Sequence, residues 1–262
     1  MNLSLENKHA LVCGSTQGIG KASALELAIL GARVTLVARN EDELKKVRDE
    51  LSKNGKQQHD YICADFSKPE ELKLKIEKYI AENGPIHILI NNTGGPAGGV
   101  ITEAKTEEFV ATFNQHLICN HILAQAVLAG MKEAGYGRIV NIISTSVKQP
   151  LKGLGVSNTI RAAVANWSKT LAGEVAKYNI TVNNVLPGAT DTIRSRSLIE
   201  AKHKRTGKSI EELRQEMISE IPMARIADAS EVANAVAFLA SPAASYITGI
   251  NVPVDGGRTS CL

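Results

Sequence analysis

Three glycines near the start of the chain have the types and spacing needed to bind a phosphate group. Gly14, Gly18 and Gly20 follow an apolar run that ends at Cys13, and the segment after them has helical period. Between a strand and a helix, glycines let the backbone approach a pyrophosphate, and the free N–H groups of the helix start favour its negative charge. The pattern predicts a dinucleotide site formed by Gly14, Ser15, Thr16, Gly18, Ile19 and Gly20. The alternative is a tight strand-to-helix turn that binds no ligand.

The residues after the second apolar run indicate which dinucleotide would bind. An acidic side chain there would accept hydrogen bonds from the ribose 2′-hydroxyl and repel a 2′-phosphate. This chain has Ala38 followed by Arg39, whose guanidinium can donate two hydrogen bonds to a phosphate. The sequence therefore favours NADP(H) over NAD(H). If Arg39 is only a solvated residue at the start of the next helix, the preference stays open.

Seven short runs rich in apolar and β-branched residues could form the strands that position these loops. They are apolar at successive positions, as strands covered on both faces of a sheet should be. The predicted strands are His9–Cys13, Arg33–Ala38, Asp60–Ala64, Ile86–Asn91, Arg138–Ser144, Thr181–Leu186 and Asn251–Val254.

Segments of helical period lie between these runs. Their starts are marked by pairs at capping-box spacing, namely Asn40 with Glu43, Ser67 with Glu70, Ser209 with Glu212 and Asp228 with Glu231. The alternation, without a linker or a repeat, predicts an α/β fold in one domain over residues 1–262. Its core would be a single doubly wound (Rossmann-type) parallel sheet of about seven strands with helices on both faces. The charged stretch 189–222 is expected to be a helical excursion that forms a lid over the site.

Bulk composition excludes several classes of function. The chain has 44% hydrophobic and 22% charged residues, typical of a globular protein, and its net charge of +3 is too small for a nucleic-acid binder. No secretory signal and no apolar run of ~18 residues can be read, so we expect a cytoplasmic protein without a membrane partner. The four scattered cysteines are expected to be reduced thiols. His116 and His121 have no carboxylate or cysteine at ligand spacing, so no metal site is expected.

Further motifs follow in order along the chain and resemble those of the short-chain dehydrogenase/reductase family. They are Asn91-Asn92-Thr93-Gly94, the strand from Gly137 to Ser144, Pro187-Gly188-Ala189-Thr190-Asp191-Thr192 and Val254-Asp255-Gly256-Gly257. The resemblance covers nearly the whole chain. Beyond the glycine turn and Arg39, it implies cofactor contacts from Asp65, Phe66, Asn91, Thr93, Gly94, Pro187, Gly188 and Thr192.

The resemblance also implies a reaction site, but one with altered residues. In the family, a Ser polarises the substrate carbonyl, a Tyr thirteen residues later transfers the proton, and a Lys four residues further lowers the Tyr pKa. Ser144 matches the Ser, but Ser157 and Arg161 stand at the Tyr and Lys positions, and His116 stands where an Asn completes a water relay. Ser157 and Arg161 could instead merely pack or meet solvent.

These replacements remove the usual acid. A serine hydroxyl is a far weaker acid than a phenol, and Arg161 stays charged at any working pH. Three groups could supply the proton instead: Lys148 is ranked first, and the others are His116 and water ordered by Ser144, Ser146 and Ser157. Lys148 could equally be a solvated loop residue.

Two functions follow from this reading. The first is an NADP-dependent oxidoreductase that reduces a carbonyl, with a small-molecule or acyl-thioester substrate, similar to the 3-oxoacyl-[acyl-carrier-protein] reductases. The second is a catalytically silent NADP(H)-binding sensor or partner subunit. As in the family, the helices near Glu103–Met131 and Ser157–Tyr178 could pair copies into a homodimer or homotetramer. The basic residues of the stretch 189–222 could draw an acidic substrate or could form a solvated face.

Overall fold

A computed structural model describes residues 1–53 and 57–261 of the chain. Seven strands form one parallel sheet. They are β1 (His9–Cys13), β2 (Arg33–Ala38), β3 (Asp60–Cys63), β4 (Ile88–Asn91), β5 (Gly137–Ile142), β6 (Ile180–Pro187) and β7 (Asn251–Val254). The predicted fold class and all seven predicted strands are confirmed, with shifts of up to two residues at some ends. The strands form here because their apolar, β-branched runs are buried on both faces of the sheet.

The order of the strands places the loops that carry the chemistry. The sheet runs β3-β2-β1-β4-β5-β6-β7, so the chain reverses direction across the sheet between β1 and β4. In open parallel sheets of this kind, ligands bind in the crevice at the carboxyl ends of the strands where the order reverses. The glycine turn after β1 and the loop after β4 both lie at that crevice.

Helices cover both faces of the sheet. They are α1 (Gly18–Ile29), α2 (Glu41–Glu50), α3 (Pro69–Asn83), α4 (Thr106–Phe113), α5 (Cys119–Glu133), α6 (Gly155–Val175), α7 (Ile193–Thr206), α8 (Ile210–Ser219) and α9 (Ala229–Ala240). Leu27, Leu44 and Val236 of α1, α2 and α9 belong to one apolar core. Leu72 and Leu123 of α3 and α5 belong to the second, on the other face.

Three of the four predicted helix caps are present. Asn40 and Ser209 accept hydrogen bonds from the backbone N–H groups of Glu43 and Glu212, and the Glu231 carboxylate accepts from the backbone of Asp228. The prediction for Ser67 is wrong, because the helix begins at Pro69 and Lys68 is its N-cap. The Ser67 N–H instead donates to the Asp65 carboxylate, at 2.9 Å.

One of the two long helical segments differs in detail from the prediction. The long helix expected near Glu103–Met131 is divided into α4 and α5 by a π-helical turn at Asn114–Ile118. The stretch 189–222 contains α7 and α8, so it is helical as predicted. No helix within residues 1–53 and 57–261 is long and apolar enough to cross a lipid bilayer.

Candidate active site

The glycine turn after β1 is packed so closely that side chains would not fit. A Cβ added to Gly20 would lie 2.1 Å from the carbonyl oxygen of Gly14, and one on Gly14 would lie 2.6 Å from that of Asn92. Gly14 and Gly18 also have positive φ angles of 58° and 54°, which glycine adopts without strain. Ser15 is fully buried within the turn. The backbone of the turn, and not its side chains, therefore faces the crevice.

Asn92 is a supporting residue that was not among the predicted site residues. Its amide Nδ2 donates to the carbonyl oxygens of Cys13 and Gly14, at 3.3 and 3.2 Å, so the loop after β4 holds the glycine turn in place. The signal was in the sequence, because Asn92 belongs to the motif Asn91-Asn92-Thr93-Gly94.

The start of α1 suits a bound anion. Its N-cap residue Gln17 makes no side-chain hydrogen bond to the helix, and the first turn carries no acidic residue. The first N–H groups of a helix are left without intrahelical partners and carry partial positive charge. Together with the glycine turn, the backbone from Gly18 to Gly20 fits the pyrophosphate of a dinucleotide.

The residues predicted for the adenosine end lie around the carboxyl ends of β2 and β3. Arg39 is exposed directly after β2. Hydrogen bonds from the N–H and the hydroxyl of Ser67 lower the pKa of Asp65, and the charge of Arg39 lowers it further, so the two residues are close. Phe66 is partly buried and its carbonyl oxygen accepts a hydrogen bond from Cys119 Sγ, at 3.3 Å. The exposed Arg39 therefore lies near an ionised Asp65 carboxylate, and its contact with a 2′-phosphate stays a prediction.

Asn91 does not present its amide to the crevice. Its Nδ2 donates to Asn141 Oδ1, at 2.8 Å, and Asn141 donates in turn to Asn184 Oδ1, at 3.0 Å. Asn184 continues the row by donating to Asn251, at 2.8 Å. These four asparagines are paired in register across β4, β5, β6 and β7. The structure therefore gives Asn91 Nδ2 a role within the sheet, and the cofactor contact of Asn91 stays a prediction.

The segment after β6 returns to the glycine turn. Gly188 donates its N–H to the Val254 carbonyl oxygen, at 2.9 Å, so Pro187 and Gly188 extend the pairing of β6 with β7 at the carboxyl end of the sheet. Thr192 caps α7 by accepting from the Ser195 N–H, at 3.2 Å. A Cβ on Gly18 would lie 3.2 Å from Thr192 Cγ2. Thr192 therefore closes one side of the crevice above the start of α1.

Ser144 follows β5 and keeps its hydroxyl hydrogen available. Its Oγ accepts from the Ser146 N–H, at 3.1 Å, and the hydroxyl donates to no group within residues 1–53 and 57–261. It can therefore donate to a substrate carbonyl. Lys148 is half-buried at the end of a 3₁₀ helix of one turn, Thr145–Val147, and its backbone N–H donates to the Thr145 carbonyl oxygen. Ser146 Oγ is buried with no hydrogen-bond partner in the described part of the chain, as buried groups that contact ordered water or a ligand often are.

Ser157 and Arg161 lie on the same face of α6 at its N-terminal end. Ser157 is buried. Arg161 Nη1 donates to the carbonyl oxygen of Ile142, at 3.0 Å, which fixes its guanidinium at the end of β5, two residues before Ser144. Burial lowers the pKa of Arg161 to about 10, and the charge of Arg194 adds to this effect. Arg161 is therefore still charged at neutral pH.

His116 lies in the π-helical turn and faces this same region. Its Nδ1 is 2.7 Å from Thr93 Oγ1, while Nε2 is buried with no partner among the described residues. Burial lowers the pKa of His116 to about 3, with further contributions from the charges of Arg161 and Arg194. A backbone hydrogen bond with Gly94 opposes this shift only in part, so His116 is neutral at neutral pH, which weakens the case for it among the three predicted proton sources.

Arg194 is a second residue that was not among the predicted site residues. It lies in the first turn of α7, and its guanidinium donates to the carbonyl oxygen of Pro96. A Cβ added to Gly95 would lie 3.3 Å from Arg194 Nη2 and 3.6 Å from Arg161 Nη2, so both guanidinium groups meet beside the loop after β4. The sequence shows that this stretch is basic, but it does not show that the Arg194 side chain points toward the crevice.

The described residues contain no cluster of metal ligands. Over the residues that the structure describes, no three His, Cys, Asp or Glu side chains come together as a metal site would need. Gly94 is exposed, and a Cβ placed on it would meet nothing within 4 Å, so it borders open space at the crevice.

Comparisons with known proteins agree with this architecture. A family model described as enoyl-(acyl carrier protein) reductase matches residues 14–259. The 3-oxoacyl-[acyl-carrier-protein] reductase FabG of Pseudomonas aeruginosa is 36% identical over 257 residues, 97% of this chain and 98% of that protein. The NADPH-dependent reductase BacG of Bacillus subtilis is 33% identical over 259 residues, 98% of this chain and 100% of that protein.

A solved structure extends the similarity to the fold. The L-sorbose reductase of Gluconobacter frateurii, complexed with NADPH and L-sorbose, superposes with a TM-score of 0.93 and 32% identity over the full length of both chains. The prediction of NADP(H) agrees with these NADPH-named relatives. Family model, relatives and fold together show that the chain belongs to the short-chain dehydrogenase/reductase family, where it is similar to the 3-oxoacyl-[acyl-carrier-protein] reductases.

Proposed function

We propose that this protein is an NADP(H)-dependent reductase that converts a carbonyl to an alcohol without a tyrosine as proton donor. The observation that carries the proposal is the position of Arg161. Its hydrogen bond to Ile142 links α6 to the end of β5, so that the N-terminal end of α6 lies next to the segment that carries Ser144. The 3-oxoacyl thioesters named for its relatives are the first substrate class to test.

The cofactor would be held by the backbone of Gly14 to Gly20, by Arg39 at the 2′-phosphate and by Thr192 at the opposite side. When bound, NADPH supplies a hydride to the carbonyl carbon, and the carbonyl oxygen takes up one proton. Ser144 donates a hydrogen bond to that oxygen and so polarises the carbonyl. Arg161 contributes positive charge beside it and does not transfer a proton.

The proton donor is the unusual part of the site. We assign it to Lys148, acting directly or through water held by the hydroxyls of Ser146 and Ser157. The buried Ser146 Oγ without a protein partner supports such a water. His116 is a poor donor before substrate binds, because it is neutral.

Steady-state kinetics test this function. NADPH oxidation would be followed with 3-oxoacyl thioesters, diketones, quinones and keto sugars, for the wild type and for Ser144→Ala, Lys148→Ala and Ser157→Ala. We expect Ser144→Ala and Lys148→Ala to lower kcat at least ten-fold, while Lys152→Ala, an exposed lysine of the same loop, leaves it unchanged. Tight NADPH binding without turnover of any carbonyl would favour the silent cofactor-binding subunit instead. Turnover that Ser144→Ala does not affect would contradict the mechanism.

We also propose a quaternary structure and a lid. The protein would form a homodimer or homotetramer that pairs through α4, α5 and α6, which analytical ultracentrifugation tests. Helices α7 and α8 would form the lid. The single domain over residues 1–262 and the cytoplasmic location stay predictions, and residues 54–56 and 262 of that range lie outside the described residues.

A further inference from the structure

Two guanidinium groups lie close together beside Gly95, and neither has an acidic partner among the described residues. Arg161 and Arg194 both lie beside Gly95, and neither forms an ion pair with any residue of 1–53 or 57–261. Elsewhere on the same helix, Arg196 pairs with the Asp191 carboxylate, at 3.0 Å. Bringing two like charges into a partly buried site costs free energy, and a bound anion would offset that cost.

The position of Arg194 in its helix leads to the same conclusion. It stands in the first turn of α7, where the helix dipole favours negative charge and disfavours a cation. Its guanidinium turns back to the Pro96 carbonyl, toward the crevice instead of toward solvent. The start of α7 therefore brings a positive side chain and a positive helix end to one place.

A third group in this region has one buried nitrogen without a hydrogen-bond partner among the described residues. His116 is only 4% exposed, and its Nε2 makes no hydrogen bond within the described residues, whereas Nδ1 is occupied by Thr93. Buried polar atoms of this kind are normally satisfied by water or by a ligand. The two guanidinium groups and the imidazole are independent signs of a polar ligand at one site.

We propose that Arg161 and Arg194 bind a carboxylate group of the substrate, next to the carbonyl that is reduced. The inference rests on the proposed function and specifies its substrate class as a 2-oxo acid or a similar short keto acid. Arg161 is fixed two residues before Ser144, so an anion between the guanidinium groups would lie beside the carbonyl donor. Planar guanidinium groups match the two oxygens of a carboxylate.

The phosphates of the cofactor are the other source of negative charge. The backbone of Gly18 to Gly20 already provides for the pyrophosphate, and Arg39 provides for the 2′-phosphate after β2, at the opposite side of the crevice from β5. The two arginines instead bond to backbone carbonyls at the end of β5 and in the loop after β4. A substrate carboxylate therefore fits their position better than a cofactor phosphate.

Two small probes of similar shape test the site without requiring turnover. Pyruvate and hydroxyacetone share an acetyl group, but only pyruvate carries a carboxylate. Binding of each would be measured on the NADP⁺-bound protein, with the imidazole resonances of His116 as reporter. We expect pyruvate to bind at least ten-fold more tightly than hydroxyacetone. Arg194→Gln and Arg161→Gln should each weaken pyruvate binding at least ten-fold and change hydroxyacetone binding less than two-fold.

Arg196→Gln is the matched control, because Arg196 lies on the same helix but is exposed and paired. It should leave pyruvate binding unchanged, and Arg194→Gln should leave NADP⁺ affinity within about three-fold of wild type. Equal binding of the two probes by the wild type, or no pyruvate binding, would overturn the proposal even if a variant fails to fold. An equal loss of NADP⁺ and pyruvate affinity in Arg194→Gln would also overturn it, by assigning Arg194 to the cofactor.

The outcomes separate this inference from the proposed function. If no carbonyl is reduced but pyruvate binding depends on both arginines, the carboxylate site stands and the reductase does not. If neutral ketones and thioesters are reduced without any preference for keto acids, the reductase stands and the carboxylate site is wrong.

Discussion

Arg161 reaches from α6 to the end of β5, where its Nη1 donates to the Ile142 carbonyl oxygen, at 3.0 Å. Together with the hydrogen bond from Asn141 to Ser168, at 3.2 Å, this bond joins the helix that carries Ser157 to the strand that leads to Ser144. The guanidinium has no carboxylate partner in the described ranges and faces the like charge of Arg194. The site thus keeps a charge that the folded protein alone does not neutralise.

We expect this charge to lower the free energy of unfolding, although the reaction requires it. Arg161→Met removes the charge at similar volume and takes a donor from only one carbonyl, that of Ile142, so the net effect should be to raise the free energy of unfolding by about 1 kcal/mol while abolishing turnover. Urea denaturation without ligand measures the effect. The control is Arg138→Met, a fully buried arginine that donates to the carbonyls of Gly137, Asn179 and Ser241. That variant should lose about 3 kcal/mol, because these acceptors lose their donor. A loss of stability in Arg161→Met would contradict the prediction.

Two buried histidines should make the protein sensitive to mild acid. Burial lowers the pKa of His116 and of His9 from the ordinary 6.5 to about 3, helped by the charges of Arg161 and Arg194 in one case and of Arg33 and His87 in the other. Between pH 3 and pH 6.5 the unfolded chain then binds more protons than the folded protein. Stability is therefore complete above pH 6.5 and falls as the pH decreases toward 3.

The size of this effect can be measured by urea denaturation at several pH values. Each histidine should cost about 2 kcal/mol between pH 6.5 and 4.5, and His116→Asn and His9→Gln should each reduce the slope. Thr112→Val serves as control, because Thr112 is similarly buried but does not titrate. It should change the stability and leave its pH slope as in the wild type. Equal slopes in all four proteins would show that neither histidine is held neutral.

Much of the fold could be predicted because its signals are local. The buried strands are continuous apolar runs such as Ile88–Asn91, and the glycine turn is marked by residue types that its backbone requires. The cap predicted at Ser67 failed since a proline two residues later, Pro69, fits the first helical turn and moves the helix start. The π-helical turn at Asn114–Ile118 was missed because one extra residue in a turn leaves the apolar pattern almost unchanged.

The candidate site was harder to predict because it depends on contacts between distant segments. The row of Asn91, Asn141, Asn184 and Asn251 exists only once four strands are paired in register. Arg194 is 98 residues from Pro96, to which it donates, so no sequence spacing reveals the contact. The ranking of His116 as a proton source assumed an ordinary pKa, which its burial changes.

Because the glycine turn is tightly packed, one added methyl group should be enough to disrupt it. In Gly20→Ala the new Cβ would lie 2.1 Å from the Gly14 carbonyl oxygen, so backbone must move. We expect a loss of about 3 kcal/mol in stability and no measurable NADPH binding. Gly173→Ala, in the interior of α6 with nothing within 4 Å, should instead gain about 0.5–1 kcal/mol and bind NADPH normally. Thermal melting and fluorescence titration with NADPH measure both. Normal binding by Gly20→Ala would place the pyrophosphate elsewhere.

Arg39 should decide between the two nicotinamide cofactors. It is exposed directly after β2, so its guanidinium can pair with a 2′-phosphate at little cost in reorganisation. In Arg39→Glu the carboxylate would repel that phosphate and accept hydrogen bonds from a free ribose hydroxyl. NADPH affinity should fall about 10–100-fold, and NADH affinity should stay equal or rise. Arg48→Glu makes the same change in charge on α2 and should alter NADPH affinity less than about three-fold. If both variants weaken NADPH equally, the preference comes from the overall charge of this edge and not from a contact made by Arg39.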